Sequence, residues 1–75
     1  MQNSPSNYDP PIRTELLAVA LDRSREGIDK GIRGGHIPPK NITINGNRRG
    51  WTLSTLRDWN PRVAKRLDLL LIALS

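Results

Sequence analysis

The stretch SREGIDKGIRGGHIPPKNITINGNRRGWTLSTLRDW, from Ser24 to Trp59, decides how this chain folds. Ser24 is a capping residue, and Ile28 and Ile32 follow four apart, so a helix is expected that Gly35 stops in a left-handed conformation. Ile37-Pro38-Pro39 cannot continue it. Asn41-Ile42-Thr43-Ile44 alternates polar with apolar residues and runs into Asn45-Gly46, a strong hairpin signal, which makes Asn47 to Trp51 the return strand. Thr52 then caps a short helix from Leu53 to Trp59, where Leu56 and Trp59 share a face.

Outward from that stretch, Leu16, Leu17, Val19, Ala20 and Leu21 give a broad apolar face to a helix beginning at Arg13 or Thr14. Asp22-Arg23 is the turn into the next helix. Met1 to Pro11 is polar, holds Pro5, Pro10 and Pro11, and contains neither Lys nor Arg. It has no signal-peptide pattern and is expected to be a disordered leader, ill-suited to serve as a minor-groove arm. Downstream, Asn60-Pro61 caps a last helix running from Arg62 toward Ser75. Val63, Leu67, Leu70 or Leu71, and Leu74 form one face, with Leu69 and Ile72 on the other. At about 13 residues this helix is too short for a bilayer, which needs roughly 20. Its second face is either wrapped by the small domain or used for self-association through Leu69 and Ile72. The expected organisation is thus a leader at 1–11, a domain at 12–60 and a C-terminal helix at 61–75.

The formal charge is +5, and its distribution is uneven. Arg23, Arg25, Lys30, Arg33, Lys40, Arg48 and Arg49 face only Glu26 and Asp29 in the same interval, while the remainder of the chain holds five charges of each sign. The whole excess falls on the central helix and the hairpin, where a polyanionic partner would need it. With Ile28 and Ile32 inward, Glu26, Lys30 and Arg33 point away from the core, Arg23 precedes the cap and Arg25 lies on the flank. Gly27, Gly31 and Gly34 fall along one side of that helix, a bare stripe open to the first helix or to a phosphate backbone. In the hairpin, Asn45, Gly46 and Asn47 suit the tip, and alternation is expected to send Arg48 and Arg49 to opposite faces. Trp51 and Trp59 stand at core spacing rather than as base-stacking platforms.

Length and composition narrow the function. A single domain of 75 residues has a core near the lower limit for independent folding. There is no cysteine, hence no disulfide framework and no thiolate metal site, and the lone His36 reads as an exposed hinge residue. No triad, phosphate loop or carboxylate pair is legible, so binding is expected rather than catalysis, with no cofactor.

Helix, helix, hairpin, helix is the plan of a small winged helix-turn-helix module. The ordered set Ser24-Arg25, Ile28, Lys30, Ile32, Gly35, Ile37-Pro38, Arg49-Gly50-Trp51, Leu56 and Trp59 resembles the excisionase and AlpA-like regulators of phages and integrated elements, over about half of the chain. Arg23, Ile37 and Thr55 depart from that pattern, standing for an apolar, an aromatic and an acidic residue. The resemblance implies a mainly α fold with a small hairpin, MerR/excisionase-like, with an extra C-terminal helix. It implies binding to double-stranded DNA, with the recognition helix contributing Arg23, Ser24, Arg25, Glu26, Lys30 and Arg33. The wing would contribute Lys40, Asn45, Asn47, Arg48 and Arg49. The expected role is that of a recombination directionality factor or transcriptional regulator, bound cooperatively to repeats on the bacterial nucleoid and partnered by an integrase or the transcription machinery. The other class is a protein-interaction module, such as an anti-repressor or accessory subunit using the exposed leucines.

Overall fold

A computed structural model describes residues 9–74, in which four helices pack with one three-stranded antiparallel sheet. In chain order the elements are β1 (Pro11–Arg13), α1 (Thr14–Leu21), α2 (Arg25–Arg33), β2 (Ile42–Asn45), β3 (Arg48–Thr52), α3 (Leu53–Trp59) and α4 (Pro61–Leu74). The sheet order is β1-β3-β2. This architecture is compatible with a winged helix. No helix among the described residues is long and apolar enough to cross a membrane.

Strand β1 corrects the extent of the expected leader. Pro11, Ile12 and Arg13 pair with Thr52, Trp51 and Gly50, and Ile12 is fully buried. Prolines that read as breakers are tolerated here because β1 is an edge strand, which leaves some of its amides without a ladder role. Asp9 and Pro10 are also engaged, against α3. The rest of the expected leader, residues 1–8, lies outside the described residues. Where β1 meets β3 the backbones close at Gly50, since a Cβ there would collide with the Ile12 carbonyl oxygen and come within 2.7 Å of Ile44 Cδ1.

The helix boundaries follow their local chemistry. Helix α1 ends at Asp22, in the left-handed conformation (φ 54°), and Arg66 from α4 donates a 2.9 Å hydrogen bond to the Ala20 carbonyl in its last turn. Ser24 caps α2 by accepting from the Gly27 amide at 3.1 Å. At the far end Gly35 adopts φ 79°, while the amides of Gly35 and His36 reach back to the carbonyls of Ile32 (3.2 Å) and Gly31 (2.8 Å), which is a Schellman closure. The chain then turns Ile37 back onto the helix. A Cβ on Gly31 would sit 2.5 Å from Ile37 Cδ1, so the space beside Gly31 is filled by the hinge and not by α1 or a phosphate backbone.

In the hairpin only Gly46 takes positive φ (58°); Asn45 and Asn47 do not. The return strand is Arg48–Thr52, one residue later than the sequence suggests. Ile42 pairs with Gly50, Thr43 with Arg49 and Asn45 with Arg48, so Ile44 is the extra residue of a bulge. Trp51 is a core residue: fully buried, it donates from Nε1 to the Pro38 carbonyl at 2.8 Å. Trp59 is half-buried against the same core.

The opening amides of α3 are satisfied from three sources. Leu53 donates to the Pro10 carbonyl at 3.1 Å, Ser54 to Asp9 Oδ1 at 2.8 Å, and Thr55 to the Thr52 hydroxyl at 3.3 Å. Asn60 caps α4, accepting from the amides of Arg62 (3.1 Å) and Val63 (3.4 Å). Val63, Ala64 and Leu67 of α4 are buried and Leu70 and Leu71 half-buried. Leu74, expected on this inward face, is instead 73% exposed, because the last turn runs past the core it would cover. Leu69 and Ile72 are 60% and 65% exposed, so the domain does not wrap the helix.

Candidate nucleic-acid interface

The cationic side chains of α2 divide between its two flanks. Arg25 and Arg33 lie toward the hairpin, whereas Arg23 and Lys30 line a separate groove with His36, Ile37 and Trp59 on the other side. Toward the hairpin, a narrow cleft of about 120 Å³ is lined by Arg13, Thr14, Glu15, Arg25, Lys40, Ile44, Asn47, Arg48 and Arg49. A shallow groove adjoins it, lined by Asp29, Ile32, Arg33, Pro39, Lys40 and Arg49. Cations from three separate parts of the chain therefore meet along one side of the molecule.

Of the expected site residues, the fold thus gathers Arg25, Arg33, Lys40, Asn47, Arg48 and Arg49. Glu26 and Asn45 are exposed and line neither groove. Ser24 is occupied as the cap of α2. Arg48 and Arg49 both line the cleft, but beyond it they part, Arg49 toward the groove of Asp29, Ile32 and Arg33 and Arg48 toward Leu16, Val19 and Leu74. Arg49 is steadied by donating from Nη2 to the Lys40 carbonyl at 3.3 Å, and Lys40 Nζ stands 5.7 Å from the centre of the Trp51 ring. That cation–π placement fixes a charge beside the hairpin without removing it from solvent contact.

Three cleft residues, Arg13, Thr14 and Glu15, escape sequence reasoning. They arrive through β1, whose partners lie about forty residues away in the chain, and no local pattern signals that pairing. Glu15 Oε2 lies 3.5 Å from Arg25 Nη1, with both side chains more than half exposed. A hydrogen bond from its own backbone amide, opposed by partial desolvation and reinforced by Arg25, Arg48 and Arg13, holds the Glu15 carboxyl below its ordinary value. The cleft therefore stays anionic at one point and cationic around it at neutral pH.

Compared with protein-family models, curated proteins and solved structures, the chain shows no match, so its functional reading rests on these residues.

Proposed function

We propose that the chain is a sequence-selective protein for double-stranded DNA, a winged helix-turn-helix in which α2 enters the major groove and the β2–β3 hairpin lies on the adjacent minor groove or backbone. The observation that carries this reading is the convergence of Arg25, Arg33, Lys40, Arg48 and Arg49 along one side. A surface of that kind gathers the positive charge that a polyanion needs and would release counterions on binding a duplex. By its resemblance to excisionase and AlpA-like proteins, the role is recombination directionality or transcriptional regulation of a phage or mobile element, exercised on the nucleoid with an integrase or the transcription machinery. Exposed Leu69 and Ile72 on α4 support contact between copies bound at neighbouring sites. The same apolar turns support the second reading, a protein-interaction module with no nucleic-acid partner.

Binding of a duplex from the DNA beside the gene, followed across salt concentrations, separates the two. A log–log slope of several units supports the DNA reading, and no salt-dependent binding favours the interaction module. Arg25→Ala tests base readout in the same assay. We expect a loss of about 1–3 kcal/mol on the specific site and little on random duplex; equal losses on both would make Arg25 a phosphate contact.

A further inference from the structure

The narrow cleft at the β1–α1 junction holds groups that α2 and the hairpin do not account for. Arg13 is the N-cap of α1 yet gives no side-chain hydrogen bond to it, so the first-turn amide donors receive nothing from the cap, and that of Glu15 is met by its own carboxylate. Thr14, the first helical residue, is only 4% exposed, and its hydroxyl has no hydrogen-bond partner among the described residues. A buried hydroxyl left in this state is costly unless something fills the space beside it. Thr14 lines the cleft together with Arg13, Arg25, Asn47 and Arg48. The anion at hand is Glu15, bonded to its own amide at the start of α1, drawn by three guanidiniums and 3.5 Å from that of Arg25. Helix-start amides, a hydroxyl and converging arginines are the donor set that recognises a tetrahedral oxyanion.

We propose that this cleft seats one phosphate group of the nucleic-acid backbone, and that Glu15 is the internal anion the phosphate displaces. The proposal rests on the DNA-binding reading. At about 120 Å³ the cleft has room for a phosphate and not for a whole nucleotide. A phosphodiester carries the same single negative charge as the carboxylate, so the exchange leaves the charge balance of the cleft unaltered. Glu15, whose side chain is already 53% exposed, moves into solvent, and Arg25 is released to the duplex. Without a phosphate the carboxylate keeps Arg25 occupied, so Glu15 restrains binding to any polyanion that does not fit the seat.

Two measurements on the full chain test this. In the first, inorganic phosphate is titrated at constant ionic strength while backbone amides are followed by NMR. Saturable shifts at Thr14 and Glu15, absent with chloride and weakened in Thr14→Val, support the seat; shifts spread evenly over the basic surface overturn it. In the second, duplex binding is compared for wild type, Arg13→Ala and Glu15→Gln, with thermal melts to establish that each is folded. Arg13→Ala is expected to lower the salt slope by about 0.9, the value of one phosphate contact. Glu15→Gln is expected to tighten binding about two- to five-fold, the scale of one exposed ion pair. An unchanged slope in Arg13→Ala, with wild-type binding intact, overturns the seat while leaving the DNA reading standing, even where free phosphate binds. Weaker binding by Glu15→Gln overturns the displacement. Wild type that shows no salt-dependent binding to duplex overturns both readings.

Discussion

Asp9 places one carboxylate on two donors of a single residue, the amide and the hydroxyl of Ser54, at 2.8 and 2.6 Å. Burial pushes its pKa up, but the bonds from Ser54 and the charge of Arg57 outweigh that, and the carboxyl lies below its ordinary value. A group depressed in this way contributes stability above its unfolded pKa and loses that contribution as pH falls through the lower folded value. Asp9→Ala should therefore cost about 1 kcal/mol at neutral pH, as removal of a helix cap does. The difference from wild type should narrow on acidification below the ordinary aspartate range, which thermal melts across pH will read. Glycines one turn apart make a second comparison. A Cβ on Gly27 meets Ser24 Oγ at 3.4 Å, an ordinary contact, whereas one on Gly31 strikes the buried side chain of Ile37. Gly27→Ala should stabilise by about 0.5–1 kcal/mol through helix propensity. Gly31→Ala should instead destabilise by about 1 kcal/mol, since overpacking outweighs the same gain. Denaturant midpoints of the two variants should move in opposite directions.

The bulged hairpin and the groove beside α2 act together at the scale of elements. Since Arg48 and Arg49 both line the cleft, replacing both by Ala should weaken binding to every duplex alike and reduce the salt slope by about 0.9 for each phosphate that is no longer neutralised. An unchanged slope in a folded variant would take the hairpin out of the interface. Elements whose signals are local were legible in the sequence: Ser24 with the periodic Ile28 and Ile32, Gly35 after the last turn of α2, Asn45-Gly46 at the hairpin, Thr52 and Asn60-Pro61 before their helices. Each depends on neighbours within a few residues. Strand β1 was not legible, because three residues beside two prolines carry no periodicity and their pairing with Gly50, Trp51 and Thr52 is wholly long-range. The candidate site divides the same way. Charge alone marked Arg25, Arg48 and Arg49, while Arg13, Thr14 and Glu15 joined them only through the sheet.

At the scale of the whole molecule, the core draws a residue from nearly every element, Ile12 of β1, Leu17 of α1, Ile28 of α2, Trp51 of β3, Leu56 of α3 and Leu67 of α4, and leaves the end of α4 outside it. Changing Leu69 and Ile72 to Glu should then leave a folded chain with an unaltered melting temperature, since both side chains are exposed. If copies meet through α4, the double variant should bind a single site normally and lose cooperative occupation of adjacent sites; sedimentation and binding to tandem sites will read the difference. The sheet carries a consequence for how the chain tolerates being shortened. With β1 on one side and β2 on the other, β3 has no open edge, and the covering on one side consists of just three residues that precede α1. A chain trimmed to start at Thr14, as the look of its first residues invites, would bare the backbone of Gly50 to Thr52 and strip Asp9 and Pro10 from the start of α3. The vacated edge would be open to pairing with another extended strand, so such a chain would be prone to swapping strands between copies and to stacking through them into open-ended assemblies.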